Sequence, residues 1–272
     1  RVGKQRSLLN SAPSAHSPPR IAAPPPPPVS LAVVIPVRNE EGCLAPLVQG
    51  LLRRYDSSIC RVIVVDDNST DSTGSIADDL ARRNPKITVI HRENPPGVGR
   101  ALREGFQAVP PQVTHVLMMD GDFLANISEV ADLIDQAAEG YDVVFGSRYC
   151  WAFGFYGYPY LKRICNRSFH LLARHTLGIK VNDLSNNFKI IKKDVLAACQ
   201  FQATDFAINA ETGLYPLLAG ATWCEVPVKW VTRSASMGNS KFHVFRIANS
   251  YFQVLRRCRR QRAELEAHIA GK

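Results

Sequence analysis

The sequence predicts an α/β fold, a three-layer α/β/α sandwich with a mostly parallel central sheet. Three observations lead to this prediction. Apolar runs of strand length alternate with segments whose apolar residues recur at helical spacing. The connections between these segments are short, as in parallel βαβ units. Several of the runs end in clusters of Asp, Asn and Ser, and the carboxyl ends of parallel strands are where such sheets bind ligands.

The alternation begins at Leu31. The run Leu31–Val37 has the length of a buried strand, and the leucine and valine residues of Glu40–Arg54 form one helical face. The next predicted strands are Arg61–Val65, Lys86–His91, Val113–Met119 and Tyr141–Gly146. The predicted helices between them are Ile76–Arg83, Val98–Ala108 and Ile127–Ala138.

The regular alternation fades after Arg148. The segment Trp151–Tyr160 is aromatic and interrupted by Gly and Pro, so we expect a loop there. Beyond it the pattern predicts helices over Leu161–Leu177 and Phe206–Leu218 and strands over Phe188–Ile191 and Thr222–Val231.

Composition divides the chain into three parts. Residues 1–29 are rich in Pro and Ala, with four basic and no acidic residues, and we expect a disordered tail. Residues 30–241 hold 22 basic and 22 acidic residues, so the net charge of +9 comes from the ends, which argues against a nucleic-acid groove. Residues 242–272 are expected to form an amphipathic basic helix that lies on anionic lipid, the alternative being a solvated helix face.

The seven cysteines are scattered and form no Cys-x-x-Cys pair, which argues against structural zinc and a disulfide framework. No apolar run approaches the roughly 18–20 residues that span a bilayer. We therefore expect a cytoplasmic chain that is peripheral on the cytoplasmic face of a membrane.

The motif Asp120-Gly121-Asp122 follows the predicted central strand. In an extended chain residues i and i+2 share a face, so the two carboxylates can converge on a hard cation such as Mg²⁺ or Mn²⁺. A surface turn is the alternative, because Asp-Gly-Asp is also good turn chemistry. No Gly-x-Gly-x-x-Gly follows the first strand and there is no P-loop, so a nucleotide would be held by acids and a metal.

Five motifs occur in order at fitting spacing: Val34-Ile35-Pro36 with Asn39-Glu40, Val65–Asp71, Asp120-Gly121-Asp122, Gly146–Tyr149, and Arg233 with Gly238–Lys241. Together they closely resemble the family 2 glycosyltransferases, and within these the polyprenyl-phosphate (dolichyl-phosphate) mannose and glucose synthases. The resemblance covers roughly residues 31–241. It implies a GT-A fold with a Rossmann-like sheet. It also implies inverting transfer of a hexose, mannose first, from a GDP- or UDP-sugar to a polyprenyl phosphate.

The same resemblance implies roles for individual residues. Those that bind the donor would be Pro36, Asn39, Glu40, Asp66, Asp67, Asp120 and Ser240. Those that act in catalysis would be Asp122, Arg148, Arg163, Arg233 and Lys241. Asp120 and Asp122 would hold Mg²⁺ or Mn²⁺, and Asp183 and Ser185 fall in the family's Asp-x-Thr/Ser segment. A phosphate acceptor is largely dianionic at pH 7, so a general base is optional; Glu211 is the candidate, and a buried structural Glu is the alternative.

Two segments depart from the related synthases. Phe123-Leu124-Ala125-Asn126 replaces their Leu/Phe-Gln and His/Pro, and Leu184–Lys189 replaces their Thr-Ser-Gly-Phe-Arg. Two other functions therefore stay open: the same fold acting on a soluble glycan, peptide or metabolite, and a non-catalytic relative that binds a nucleotide sugar.

Overall fold

The structure is a computed structural model that describes residues 28–150, 155–157, 160–231 and 248–260. Within these ranges the central sheet has seven strands: β1 (Leu31–Val37), β2 (Ile59–Asp66), β3 (Ile87–His91), β4 (His115–Met118), β5 (Val143–Ser147), β7 (Lys189–Lys192) and β8 (Trp223–Pro227). Their order across the sheet is β3-β2-β1-β4-β7-β5-β8. A separate parallel pair is formed by β6 (Phe155–Tyr156) and β9 (Trp230–Val231).

The helices are α1 (Leu44–Tyr55), α2 (Thr73–Arg83), α3 (Val98–Gln107), α4 (Val130–Ala138), α5 (Tyr160–Leu177), α6 (Lys193–Ala198) and α7 (Ile208–Leu218). A 3₁₀ helix, Leu124–Glu129, precedes α4, and residues 248–260 form a last helix. None of the helices that the structure describes is long and apolar enough to cross a bilayer.

Helices cover both faces of the sheet. All seven residues of β1 are buried; Val34 belongs to the core shared with α3, α5 and α7, whereas Val33 and Ile35 belong to the core shared with α1, α2 and α4. Because successive side chains of a strand point to opposite faces, a strand buried on both sides must be apolar throughout. The predicted three-layer α/β/α sandwich is confirmed.

Strand β7 runs antiparallel to both of its neighbours, β4 and β5, while the other pairs in the sheet are parallel. Its register places Lys189 opposite Met118 and Lys192 opposite His115. The sequence predicted a strand here but not its direction. Because β7 is antiparallel, the chain enters it at the carboxyl edge of the sheet, where the polar ends of β1, β2 and β4 also lie.

Other element predictions need small corrections. The helix predicted over Ile127–Ala138 is divided into the 3₁₀ helix and α4, and the last predicted strand is divided into β8 and β9. Helix α6 was not predicted. In the expected loop Trp151–Tyr160, the described part holds the short strand β6 and the first residue of α5.

The described part of the C-terminal segment, residues 248–260, packs its apolar face onto the protein. Val254, Leu255 and Cys258 are buried in the core shared with α5 and α7. The remaining parts of the predicted helix 242–272, and all but residues 28 and 29 of the predicted tail 1–29, lie outside the described residues.

Candidate active site

The turns after β1 and β2 are joined by hydrogen bonds. The Asn39 N–H donates to Ser69 Oγ at 3.0 Å, and Asn39 Oδ1 accepts from the Thr70 N–H at 2.8 Å. Both turns contain an asparagine with a left-handed backbone, Asn39 at φ 54° and Asn68 at φ 58°, a conformation that Asn tolerates better than most residues. The Glu40 N–H in turn donates to Thr73 Oγ1 at 2.7 Å, which fixes Asn39 and Glu40 beside the start of α2.

The two carboxylates at the end of β2, Asp66 and Asp67, already have protein partners. Asp66 accepts from the Ser69 N–H at 3.1 Å and lies 3.2 Å from His91 Nδ1. Asp67 is ion-paired with Arg92 and accepts from the Gly97 N–H at 2.7 Å, just before α3 begins. Asp66 and Asp67 are both buried. Their hydrogen bonds and ion pairs connect this edge of the sheet to the neighbouring loops.

The acidic pair lies directly against the end of β1. A methyl group on Gly121 would come within 2.7 Å of Val37 Cγ1 and 3.4 Å of Glu40 Cγ, and Pro36 O would be 3.6 Å away. This contact brings Asp120 and Asp122, both half-buried, beside the predicted donor residues Pro36 and Glu40. The convergence of these strand ends, expected from a parallel sheet, is thus present.

Residues 183–187, which we call the connecting loop, join the acidic pair to Arg148. Successive side chains of this loop bind different elements: Ser185 accepts from Asn166 of α5 at 2.7 Å, and Asn186 donates to Gly146 O at 2.7 Å. The next residue, Asn187, donates from Nδ2 to Asp120 Oδ1 at 2.6 Å. The loop thereby fixes the relative position of β4, β5 and α5 at the carboxyl edge.

Arg148 and Asp183 form a buried bidentate ion pair. Arg148 Nε and Nη2 donate to the two carboxylate oxygens at 2.7 and 2.8 Å, and the Arg148 N–H donates to Oδ2 at 3.0 Å. Asp183 is fully buried. Burial would raise the pKa of this carboxyl, but the charge and hydrogen bonds of Arg148 outweigh it, so the Asp183 pKa lies below its ordinary value. Arg148 is therefore held rigidly in one orientation.

Two buried bases support the connecting loop. His170 Nδ1 donates to Asn166 O at 2.7 Å, and its Nε2 accepts from the Leu184 N–H at 2.8 Å, which is the hydrogen-bond pattern of a neutral imidazole. Burial accordingly lowers the His170 pKa to about 4. Lys189 Nζ donates to Leu184 O and Asn209 O at 2.9 and 3.0 Å, and burial lowers its pKa to about 7.

Arg163 lies near Arg148 on the outer side of the site. The guanidinium carbons of Arg163 and Arg148 lie 4.8 and 5.8 Å from the ring centroid of the same residue, Phe155. Arg163 is exposed, whereas Arg148 is buried. The two guanidinium groups thus lie around one aromatic ring, and their predicted role in binding phosphate stays a prediction.

Glu211 is a structural residue in this fold. Its Oε2 accepts from the Gln202 and Ala203 N–H groups at 2.8 and 2.9 Å, and its Oε1 lies 2.8 Å from Arg257 Nη2. Tyr215 also donates to Oε1, at 3.2 Å. The carboxylate is fully buried and all of these partners lie away from the acidic pair's elements, so the structural alternative raised by the sequence is the one observed.

The residues of the acidic pair fit a divalent cation. Among the described residues no group of three His, Cys, Asp or Glu side chains could enclose a metal, so an ion at the acidic pair would need ligands besides protein carboxylates. Mg²⁺ is characteristically bound by one or two carboxylates together with substrate phosphates and water, and Gly121 leaves no room for a side chain between the pair and β1. A bound ion would neutralise negative charge on a diphosphate.

Three predicted site residues, Arg233, Ser240 and Lys241, lie outside the described residues. Sequence reasoning in turn missed Asn187, His170 and Lys189 as parts of the site. For Asn187 and Lys189 the only signal was that the segment Leu184–Lys189 departs from the pattern of the related synthases, and His170 had no such signal.

The fold is that of an α/β protein, and at the carboxyl edge of its sheet the connecting loop links Asp120 of the acidic pair to the ion pair of Arg148. The chain matches the family model described as Glycosyl transferase family 2 over residues 32–199. It belongs to the family 2 glycosyltransferases and is a glycosyltransferase of the GT-A fold.

Named relatives are similar over most of the chain. The chain is 28% identical to the polyprenol monophosphomannose synthase of Mycolicibacterium smegmatis, over 82% of this chain and 84% of the relative. It is 29% identical to the undecaprenyl-phosphate mannosyltransferase of Micrococcus luteus, over 76% of this chain and 85% of the relative.

Among solved structures, glucosyl-3-phosphoglycerate synthase from Mycobacterium tuberculosis has a similar fold. Its complex with Mn²⁺, UDP-glucose and phosphoglyceric acid superposes with a TM-score of 0.62 at 19% identity, covering 85% of this chain and 80% of that one. At this identity the likeness is one of fold.

Proposed function

We propose that this chain transfers a hexose, mannose first, from a nucleotide diphosphosugar to a polyprenyl phosphate, with inversion and with Mg²⁺ or Mn²⁺ at Asp120 and Asp122. The observation that carries the proposal is the connecting loop, which binds both Asp120 of the acidic pair and Arg148. An acidic pair that holds a cation would bind the donor diphosphate. Arginines are suited to bind a second phosphate group, that of the acceptor. The names of the two mannosyltransferase relatives support the acceptor.

In this reaction the bond between the anomeric carbon and the β-phosphate oxygen breaks, and a bond to an acceptor phosphate oxygen forms. Negative charge collects on the departing nucleoside diphosphate, and arginine side chains, with a cation if one is held at Asp120 and Asp122, would stabilise it. Arg148, fixed by Asp183, and Arg163 at the entrance would bind phosphate oxygens. Because the acceptor phosphate is already largely ionised at pH 7, no protein base has to deprotonate it, which agrees with the structural role of Glu211.

The first test is a mass-spectrometric transfer assay. The purified chain is incubated with GDP- and UDP-sugars, Mn²⁺ or Mg²⁺, and either a prenyl phosphate or 3-phosphoglycerate. We expect a prenyl-phosphate hexose that requires the ion, is lost in Asp122→Ala, and is retained in Asp132→Ala, a matched change on the exposed side of α4. Product on 3-phosphoglycerate alone would reassign the acceptor, and donor binding without any product would favour the non-catalytic alternative.

We also propose that α5 meets the membrane that holds the acceptor. Its exposed apolar residues recur at helical spacing, and basic residues flank them: Leu161, Ile164, Leu171 and Leu172, with Arg163, Arg167 and Arg174. Such a face fits an anionic lipid surface. The described C-terminal helix instead turns its apolar face into the core, although Phe252 on it is 54% exposed.

A vesicle-binding experiment compares the two helices. Leu171, 52% exposed on α5, and Phe252 are similarly exposed apolar residues. With vesicles of phosphatidylglycerol and phosphatidylcholine, Leu171→Glu should reduce sedimentation of the protein about tenfold, and Phe252→Glu should change it less than about twofold. The reverse order would place the lipid contact on the C-terminal helix, as the sequence suggested.

A further inference from the structure

The position of Asn187 follows from the pairing of β7 with β4 and is not predicted by a local sequence motif. Antiparallel pairing places Met118 opposite Lys189, and continuing this register by two residues puts Asn187 opposite Asp120. The side chain follows the backbone: Asn187 Nδ2 lies 2.6 Å from Asp120 Oδ1, although the two residues are 67 apart in the chain. A carboxylate can only accept, so the amide nitrogen must be the end of the side chain that faces it.

The carbonyl oxygen of the same amide, Oδ1, is a buried hydrogen-bond acceptor. Asn187 is 2% exposed, and its Oδ1 has no hydrogen-bond partner among the described residues. Buried polar atoms in folded proteins are almost always satisfied, and an orphaned one beside a ligand site indicates a missing water or ion. Water molecules bound to a divalent cation are strong donors, so an ion at the acidic pair would bring the partner that Oδ1 lacks.

The support beneath Asn187 is rigid. Lys189, two residues further on, donates three hydrogen bonds from Nζ, to Leu184 O, Asn209 O and Thr212 Oγ1. Asn186, the residue before, is bound to Gly146 O. The chain is therefore anchored on both sides of Asn187, which places its amide against the Asp120 carboxylate.

We propose that Asn187 is a positioning residue of the cation site, which orients the Asp120 carboxylate for the ion through Nδ2 and presents Oδ1 to the ion's water. This inference rests on the proposed function, because it adds a third side chain to the metal site proposed at Asp120 and Asp122. Groups that orient a metal ligand in this way contribute about 10- to 100-fold to metal affinity.

The test measures metal binding directly. Mn²⁺ is titrated into the full chain with GDP or UDP present, and unbound Mn²⁺ is read from its electron paramagnetic resonance signal. Asn187→Ala should raise the Kd for Mn²⁺ about 10- to 100-fold. Asn182→Ala is the matched control: it removes an amide that also donates to a carboxylate, Glu225 Oε2 on β8 at 2.7 Å, and should change the Kd less than about threefold.

A second readout separates positioning from general damage to the fold. In the transfer assay, saturating Mn²⁺ should restore the Asn187→Ala rate to within about threefold of wild type, whereas Asp122→Ala should stay inactive. Equal Mn²⁺ affinity in wild type and Asn187→Ala would overturn the inference and leave the glycosyltransferase function standing. No Mn²⁺ binding by the wild type would overturn both the inference and the metal dependence of the proposed function.

Discussion

The replacement of His170 by glutamine tests the support beneath the connecting loop. His170 is 3% exposed, and its two ring nitrogens are bound to Asn166 O and the Leu184 N–H as a neutral imidazole requires. Burial lowers its pKa to about 4, whereas an unfolded chain has the ordinary value of 6.5. Glutamine offers an amide in a similar position but does not titrate.

The sign and size of the effect follow from these two pKa values. Between about pH 4 and 6.5 His170 is protonated in the unfolded chain and neutral in the folded chain. The free energy of unfolding therefore falls as the pH falls through this range. The contribution is fully present above pH 6.5 and lost near pH 4. At about 1.4 kcal/mol per pH unit, it amounts to about 3 kcal/mol in total and about 2 kcal/mol by pH 5.

Urea unfolding at pH 8, 7, 6 and 5, followed by tryptophan fluorescence, measures the free energy of unfolding. His170→Gln should be the less stable protein at pH 7, and its deficit should shrink by about 2 kcal/mol at pH 5, because only the wild type loses stability through this histidine. His175→Gln, on the exposed side of the same helix, should follow the wild type at every pH. Parallel wild-type and His170→Gln curves from pH 8 to 5 would refute the reasoning.

Three further substitutions test the site. Asp183→Asn leaves the buried Arg148 without its counter-charge and should lower the free energy of unfolding in urea by about 3–5 kcal/mol. Gly121→Ala places a methyl carbon 2.7 Å from Val37 Cγ1, so the acidic pair or the end of β1 must shift, and the transfer rate should fall about 10- to 100-fold. Glu211→Gln should cost about 1–3 kcal/mol of stability in the same urea assay, with the transfer rate of the folded enzyme within about threefold of wild type.

Matched changes control these experiments. Asp79→Asn removes an exposed partner of Arg82 and should lower the free energy of unfolding by less than about 1 kcal/mol. An equally small loss in Asp183→Asn would show that the buried ion pair does not stabilise the fold. Gly42→Ala meets nothing within 4 Å and should be neutral, and an unchanged rate in Gly121→Ala would show that the acidic pair tolerates displacement. A rate loss of about 100-fold in folded Glu211→Gln would restore Glu211 as a catalytic base.

The layers of the fold could be read from the sequence because burial on both faces leaves a strand only one solution. The runs Leu31–Val37 and Arg61–Val65 are apolar at every position or nearly so, and both are central strands covered by helices. The boundaries were less certain. Ile127–Ala138 has one apolar pattern, yet its first turn is 3₁₀ and its remainder α-helical, a local difference that periodicity does not resolve.

The sequence also predicted the roles of some charged residues and left those of others open. Asp120 and Asp122 could be found because two carboxylates after a buried strand have few uses other than a turn or a cation. Glu211 could not be judged, since a single acid on a helix is equally compatible with a base and with a buried ion pair. Only its position beside Arg257 decided the question.

By itself the sequence determined the α/β/α layers, the location of the acidic pair at a strand end and the resemblance to the family 2 glycosyltransferases. Only the tertiary structure decided the direction of β7, and with it the position of the connecting loop. An apolar run of four or five residues pairs equally well in either direction as far as its own side chains are concerned, so its direction depends on the chain around it. That direction places Asn187 against Asp120 and Asp183 against Arg148, contacts between residues 35 and 67 apart that no local pattern encodes.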